Sequence, residues 1–61
     1  MNPENLIGLT YLRAQIILEA EKIPYRVVRV DGVVRIVTRD YKPDRVNLTL
    51  DNNKVIHWTW G

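Results

Sequence analysis

The sequence predicts a small α+β domain in which a single helix packs on a small β-sheet, mixed or mostly antiparallel. Three observations indicate this class. Residues 10–23 contain neither glycine nor proline and repeat apolar residues at helical spacing. After Pro24 the chain consists of short runs of β-branched residues separated by turn sequences. At 61 residues the chain has the length of one domain, 1–61, and because it includes no cysteine its small core has no disulfide to support it.

The helix is predicted over residues 10–23. Thr10 is a good N-cap residue, and the helix should end by Ile23 because a proline disfavours helical conformation in the residue before it. The face expected to cover the sheet carries Tyr11, Ala14, Ile17 and Leu18. A second apolar stripe carries Leu12, Ile16 and Ala20. This stripe is either the edge of the core or a contact surface, and as a contact surface it predicts a homo-oligomer.

Four strands are predicted, over residues 25–30, 33–38, 45–50 and 54–60. Asp31-Gly32 lies between the first two and favours a tight turn. In the last strand, strict alternation places Ile56, Trp58 and Trp60 on one face and Val55, His57 and Thr59 on the other. The two tryptophans either form a binding platform or belong to the core, and we expect the core, the commoner place for tryptophans in so small a protein.

The residue types argue against an enzyme. The chain has no serine, no cysteine and a single histidine, His57, so the usual nucleophile and base pairs are missing. His57 has no companions at metal-ligand spacing, and we expect neither a metal nor a cofactor. Asp40 and Asp44 lie near Lys42 and Arg45, which would keep both carboxylates ionised.

Positive charge is concentrated between Arg26 and Arg45. This stretch holds six cations and three aspartates, a balance of +3, and the rest of the chain holds three cations and four acids. A basic middle region either attracts an anionic partner or simply solvates the strand faces.

The segment "TRDYKPDRVN" at 38–47 carries a resemblance to a known family. With "LIGLT" at 6–10 and the terminal Gly61, it makes the chain resemble the potato inhibitor I family of serine-protease inhibitors, and most of all its microbial elastase-inhibitor branch. The resemblance implies an exposed loop that enters a protease active site in the manner of a substrate and is cleaved slowly. The partner it implies is therefore a serine protease.

The resemblance also implies roles for particular residues. It places the reactive loop at Val37, Thr38, Arg39, Asp40 and Tyr41. Arg39 would fill the specificity pocket, and a long cation there suggests a trypsin-like target. The residues that brace the loop would be Arg45, Asn47 and Gly61, with Asn47 at the position of a second bracing arginine in other branches. A tight hairpin over 25–38 would instead shorten this loop.

A second function is open from the residues. On the same scaffold, a non-inhibitory oligomer would sequester an anionic ligand such as a nucleotide or a nucleic-acid phosphate, or block a host enzyme. The candidate anion-binding residues are Arg26, Arg29, Arg35 and Arg45 with Tyr25 and Tyr41. The N-terminus lacks the features of a signal peptide, and no segment reaches transmembrane length, so we expect a cytoplasmic protein without a membrane partner unless a leader was removed.

Overall fold

A four-stranded mixed sheet forms one layer of the fold. The computed structural model of the chain describes residues 2–61. The strands are β1 (Tyr25–Val30), β2 (Val33–Val34), β3 (Val46–Asp51) and β4 (Lys54–Trp60). Their order in the sheet is β2-β1-β3-β4; β1 and β3 are parallel, and the two outer pairs are antiparallel. One helix packs on this sheet, so the chain has the small α+β fold that the sequence predicts.

The helix, α1 (Tyr11–Ala20), is shorter than the predicted range of 10–23. Thr10 is its N-cap, and the Thr10 hydroxyl accepts a hydrogen bond from the amide of Arg13 at 3.3 Å. At the other end Lys22 has a φ of 57°. The amide of Ile23 donates to the Leu18 carbonyl at 2.9 Å, and the Lys22 amide to the Glu19 carbonyl at 3.1 Å. This pair of bonds is a Schellman motif, which ends the helix before Pro24 is reached.

The core lies between α1 and one face of the sheet. Its buried side chains are Leu6, Ala14, Leu18, Val46, Leu48, Leu50 and Val55. Leu6 comes from a short 3-10 helix, Pro3–Leu6, that precedes α1. Tyr11 and Ile17 are partly buried against the same cluster, so the helix face predicted to cover the sheet is confirmed. Alternation along β3 is regular, with its three apolar residues buried and its polar residues half-exposed or exposed.

A bulge in β4 overturns the predicted alternation of the last strand. Leu50 pairs with Val55 and Thr49 pairs with His57, so Ile56 is an extra residue in the ladder. Trp58 therefore lies on the same face as Val55 and packs against the core, whereas Ile56 is 53% exposed. The alternation wrongly grouped Ile56 with the two tryptophans and placed Val55 on the other face, because a bulge depends on the partner strand and leaves no mark in the sequence. Of the two tryptophans expected in the core, Trp58 is partly buried there, whereas Trp60 is 41% exposed.

The strand predicted over 33–38 is much shorter than expected. Asp31 and Gly32 both have positive φ, 50° and 79°, which gives the tight turn that their sequence favours. Only Val33–Val34 then pair with β1, followed by one further hydrogen bond from the Arg35 amide to the Val28 carbonyl at 2.9 Å. The chain leaves the sheet at that point because it must return to the start of β3, which is parallel to β1. The hairpin is present but does not extend to residue 38.

Strand β3 begins one residue later than the predicted range of 45–50 and ends one residue later. The Arg45 amide donates to the Lys42 carbonyl at 3.0 Å and closes a turn that contains Pro43 and Asp44. This turn directs the chain into β3. Between β2 and β3, residues 35–45 belong to no helix or strand, and we call this segment the loop.

Candidate functional site

The loop lies at one end of the sheet, where three strand ends meet. Strands β1 and β3 are parallel and begin at this end, since Tyr25 pairs with Val46. Strand β4 is antiparallel to β3 and finishes there, with Trp60 opposite Val46. Residues next to these three ends, Arg26, Arg45 and Gly61, are therefore placed beside the loop. All three contact it or one another.

Arg45, the last residue of the loop, braces the rest of the loop through its side chain. Its side chain is buried, with the residue only 8% exposed. Nη2 donates to the backbone oxygens of Asp40 at 2.7 Å and Gly61 at 2.8 Å, and Nη1 donates to the Asp40 carboxylate at 3.3 Å. The planar guanidinium can make these contacts at once because its donors point in fixed directions. The side chain of Arg45 thus contacts Asp40 in the loop directly, and Arg45 is one of the residues to which the family resemblance gives a bracing role.

Arg26 is a second bracing residue, a role that the sequence did not predict for it. Its Nη1 donates to the Thr38 carbonyl at 3.0 Å, and its Nε donates to the Asn47 side-chain oxygen at 2.7 Å. Asn47 thus orients Arg26 and does not reach the loop itself. The two residues are neighbours because the parallel register pairs Arg26 with Asn47. That register joins distant segments, so no local pattern in the sequence reveals it.

Gly61 joins the two arginines. It is buried, and its backbone oxygen accepts hydrogen bonds from Arg45 and, at 3.4 Å, from Nη2 of Arg26. Its φ of 141° lies in a region that side chains disfavour, and a Cβ here would come within 3.1 Å of the Asn47 amide nitrogen and 3.5 Å of the Tyr41 ring. Glycine is therefore favoured at this position, where the chain end approaches the loop closely.

Asp40 closes the loop on itself. The Thr38 hydroxyl donates to one carboxylate oxygen, and Arg45 donates to the other, with Lys42 Nζ at 3.9 Å from the same atom. The hydrogen bond from Thr38, together with the nearby charge of Arg45, lowers the pKa of Asp40 below its ordinary value. The carboxylate thus stays ionised over the physiological pH range and keeps its acceptor role.

Arg39 lies between the two braced positions. Its side chain is exposed and, within residues 2–61, takes part in no hydrogen bond or ion pair. The carbonyl before it, on Thr38, is held by Arg26, and the carbonyl after it, on Asp40, is held by Arg45. The backbone around Arg39 is therefore restrained while its cationic side chain is free to contact another molecule. We call Thr38, Arg39 and Asp40 the tip of the loop.

The other residues of the predicted reactive loop flank this tip. Val37 is 38% exposed and Tyr41 is 72% exposed. The Tyr41 ring lies near Gly61, since a Cβ added to that glycine would be only 3.5 Å from the ring. Both flanking residues are accessible to a partner that contacts the tip.

Three of the candidate anion-binding residues, Arg26, Arg45 and Tyr41, lie around Gly61, whereas Tyr25, Arg29 and Arg35 make no hydrogen bond to this group among residues 2–61. Arg26 and Arg45 donate to backbone oxygens of the loop and of Gly61. The Tyr25 hydroxyl donates to the Glu19 carboxylate at 2.6 Å, a bond that raises the Tyr25 pKa. Arg29 and Arg35 are exposed, and Arg29 pairs with Thr49 on the sheet face opposite the core.

The second apolar stripe of the helix is exposed. Leu12 is 65% exposed and Ile16 is 57% exposed, and Ala20 is also exposed at the end of α1. The helix therefore presents two large aliphatic side chains to solvent in addition to the face that covers the sheet.

No site for a small ligand stands out beside the loop. The part of the chain that the structure describes contains no pocket and no group of three or more His, Cys, Asp or Glu side chains able to hold a metal ion. Neither helix in residues 2–61 is long and apolar enough to span a bilayer.

Comparison with known proteins found no protein-family model that matches the chain and no curated protein with significant similarity to it.

Proposed function

We propose that this protein inhibits a trypsin-like serine protease by presenting the tip of the loop, with Arg39 as the residue that enters the specificity pocket. One observation carries the proposal. Arg39 is an exposed, unpaired cation among the described residues, and the backbone carbonyls before and after it are each held by a separate arginine. Trypsin-like pockets have an acid at the base, which suits a long cationic side chain.

The two braces favour inhibition over cleavage. A restrained loop has already lost much of its conformational freedom, so less entropy is lost when it binds. If the protease cuts the 39–40 bond, Thr38 stays held by Arg26 and Asp40 stays held by Arg45. The new chain ends then remain close together, and rejoining of the bond competes with their release. A flexible loop of the same sequence would be an ordinary substrate.

The family resemblance supports the same proposal. In the potato inhibitor I family the reactive loop precedes a tyrosine and is braced by arginines, as the loop here precedes Tyr41 and contacts Arg26 and Arg45. The brace differs in origin, since Arg26 belongs to β1 and reaches the loop with the help of Asn47. The resemblance and the geometry thus point to one mode of action.

The test is a titration of trypsin with the protein. We expect tight inhibition by the wild type and its loss in Arg39→Ala, because the pocket then receives no cation. Arg39→Lys is the matched control and should keep most of the inhibition, since lysine retains the charge. Circular dichroism checks that each variant folds. A wild-type protein that inhibits no trypsin-like protease contradicts the proposal, and inhibition unchanged in Arg39→Ala removes Arg39 from the pocket.

A second candidate function is an oligomeric binding protein that acts through the helix. The exposed Leu12 and Ile16 favour it, because large aliphatic side chains gain free energy when a partner covers them. Binding of an anionic ligand by the arginines is less favoured, since Arg26 and Arg45 already donate to the loop.

A further inference from the structure

Ile36 is the most exposed apolar side chain in the described part of the chain. It is 104% exposed, as open to solvent as in an isolated extended peptide. Other exposed aliphatic residues precede it, with Val33 at 68% and Val34 at 67%, whereas Lys42, Pro43 and Asp44 follow the tip on the other side. Apart from Arg35, the exposed segment 33–37 before the tip is thus apolar, whereas residues 42–44 after it carry no exposed aliphatic side chain other than Pro43.

The position of Ile36 is restrained on both sides. The amide of Arg35 is bound to the Val28 carbonyl of β1 at 2.9 Å. The carbonyl of Thr38 is bound to Arg26 at 3.0 Å. Only Ile36 and Val37 lie between these two anchored residues, so Ile36 has little freedom to fold back onto the core. It is held at a short, set separation from Arg39, three residues further along the chain.

We propose that Ile36 is a second specificity-determining residue of the loop, and that the target is a trypsin-like protease with an apolar depression beside its arginine pocket. The inference rests on the proposed inhibitory function. A partner that contacts the tip must also meet residue 36, because both belong to one continuous, restrained segment. A polar surface there would bury Ile36 against groups that need hydrogen bonds, whereas an apolar depression gains the free energy of covering it.

The experiment uses two trypsin-like proteases chosen with tetrapeptide substrates that end in arginine. One should prefer an apolar residue three positions before the arginine, and the other a polar residue. Inhibition constants are then measured for the wild type, Ile36→Val, Ile36→Ala and Ile36→Asp. Ile56→Ala is the matched control, since Ile56 is also an exposed isoleucine but lies on β4, outside the loop and the helix stripe.

We expect the wild type to inhibit the first protease more tightly than the second. Against the first, inhibition should weaken by about fourfold for the one carbon lost in Ile36→Val and by about 50-fold for the three lost in Ile36→Ala. Ile36→Asp should weaken it further. Against the second protease Ile36→Ala should change little, and Ile56→Ala should be neutral against both.

Equal inhibition by wild type and Ile36→Ala, with Arg39→Ala still inactive, overturns the role of Ile36 and leaves the inhibitory function standing. Equal weakening against both proteases overturns the claim of specificity. A wild type that inhibits neither protease overturns both proposals. Sedimentation of Ile36→Asp tests whether Ile36 instead contacts a second copy of the chain. A change from oligomer to monomer with inhibition intact would assign Ile36 to that contact and overturn its role in specificity.

Discussion

Arg26, Arg39 and Arg45 show how one residue type takes three roles within a single small site. Arg45 is buried, Arg26 is half-buried, and Arg39 is exposed. The first two donate to backbone oxygens whose positions are set by the fold, so their side chains stiffen the loop. The third makes no such contact among residues 2–61. Sequence alone distinguished Arg39 and Arg45 by resemblance, but not Arg26, because its role depends on the pairing of β1 with β3.

Replacing Arg45 should loosen the loop and leave the helix intact. In Arg45→Ala the Asp40 and Gly61 oxygens lose charge-assisted hydrogen bonds, at a cost of about 1.5–3 kcal/mol in the free energy of unfolding. The 39–40 bond should then be cut faster by trypsin. Chemical denaturation and mass spectrometry of the digest measure the two effects. Arg45→Lys should fall between wild type and alanine, since lysine keeps a charge without the planar fork. Wild-type stability together with wild-type resistance would show that Arg45 does not brace the loop.

The loop should also loosen in acid through Asp40. Its folded-state pKa is lowered, so its contribution to stability is fully present above the unfolded-state value near pH 4 and is lost as the pH falls through the lower folded-state value. The protection factors of the amides of residues 38–41, which are exchange rates measured by NMR and corrected for the intrinsic pH dependence of exchange, should fall between pH 6 and pH 2. Asp40→Asn is the control, since it cannot ionise and should show no such step. A step that persists in this variant would assign the transition to another group.

At the scale of the elements, the sequence predicted what is local and missed what depends on pairing. The N-cap at Thr10, the core face of the helix and the Asp31-Gly32 turn follow from neighbouring residues, and all are present. The bulge at Ile56 and the short length of β2 are set by partner strands. The brace from Arg26 was missed for the same reason. The parts of the site that lie within one segment were therefore predictable, and those that join segments were not, apart from Gly61, which the family resemblance supplied.

The end of the helix offers a change that should affect stability without affecting the loop. Lys22 has a φ of 57° in the Schellman motif, a conformation that costs a non-glycine residue about 1 kcal/mol or more. Lys22→Gly removes this strain but also increases the conformational entropy of the unfolded chain. The net effect should be a rise of about 0.5–1 kcal/mol in the free energy of unfolding. Thermal melting measures this. Inhibition should equal that of the wild type, and a parallel change in inhibition would show that the loop responds to overall stability and not to its braces.

At the scale of the whole molecule, the loop is held against the body of the protein. The radius of gyration is 10.7 Å. A globular domain of this length should have about 10.5 Å, so a segment of the size of residues 35–45 does not extend far from the rest. The small core, with no cysteine to form a disulfide, leaves the domain with limited stability of its own. Self-association is one source of further stability, and the helix supplies a surface for it.

We predict a homo-oligomer in which Leu12 and Ile16 lie at the interface. Covering each fully is worth about 1.5–3 kcal/mol, and a symmetric dimer is the simplest arrangement that covers both. The double change Leu12→Asp and Ile16→Asp should then produce a monomer in sedimentation and lower the melting temperature. Val33→Asp is the control, since Val33 is 68% exposed on β2 and should leave the assembly unchanged. A wild type that sediments as a monomer at high concentration would show that the stripe is only the edge of the core.

The hydrogen bonds at Gly61 also bear on the order in which the protein matures. Its backbone oxygen accepts hydrogen bonds from Arg45, which lies sixteen residues earlier in the chain, and from Arg26, which lies thirty-five residues earlier. Contacts of such long separation form late, after the intervening chain has been ordered. Until β4 docks, the loop lacks this shared acceptor, and the segment around Arg39 is exposed as an unfolded chain would be. We therefore expect brief pulses of trypsin to cut the 39–40 bond early in refolding and to leave it intact once β4 is in place. The time at which this bond becomes resistant would then report when folding is complete.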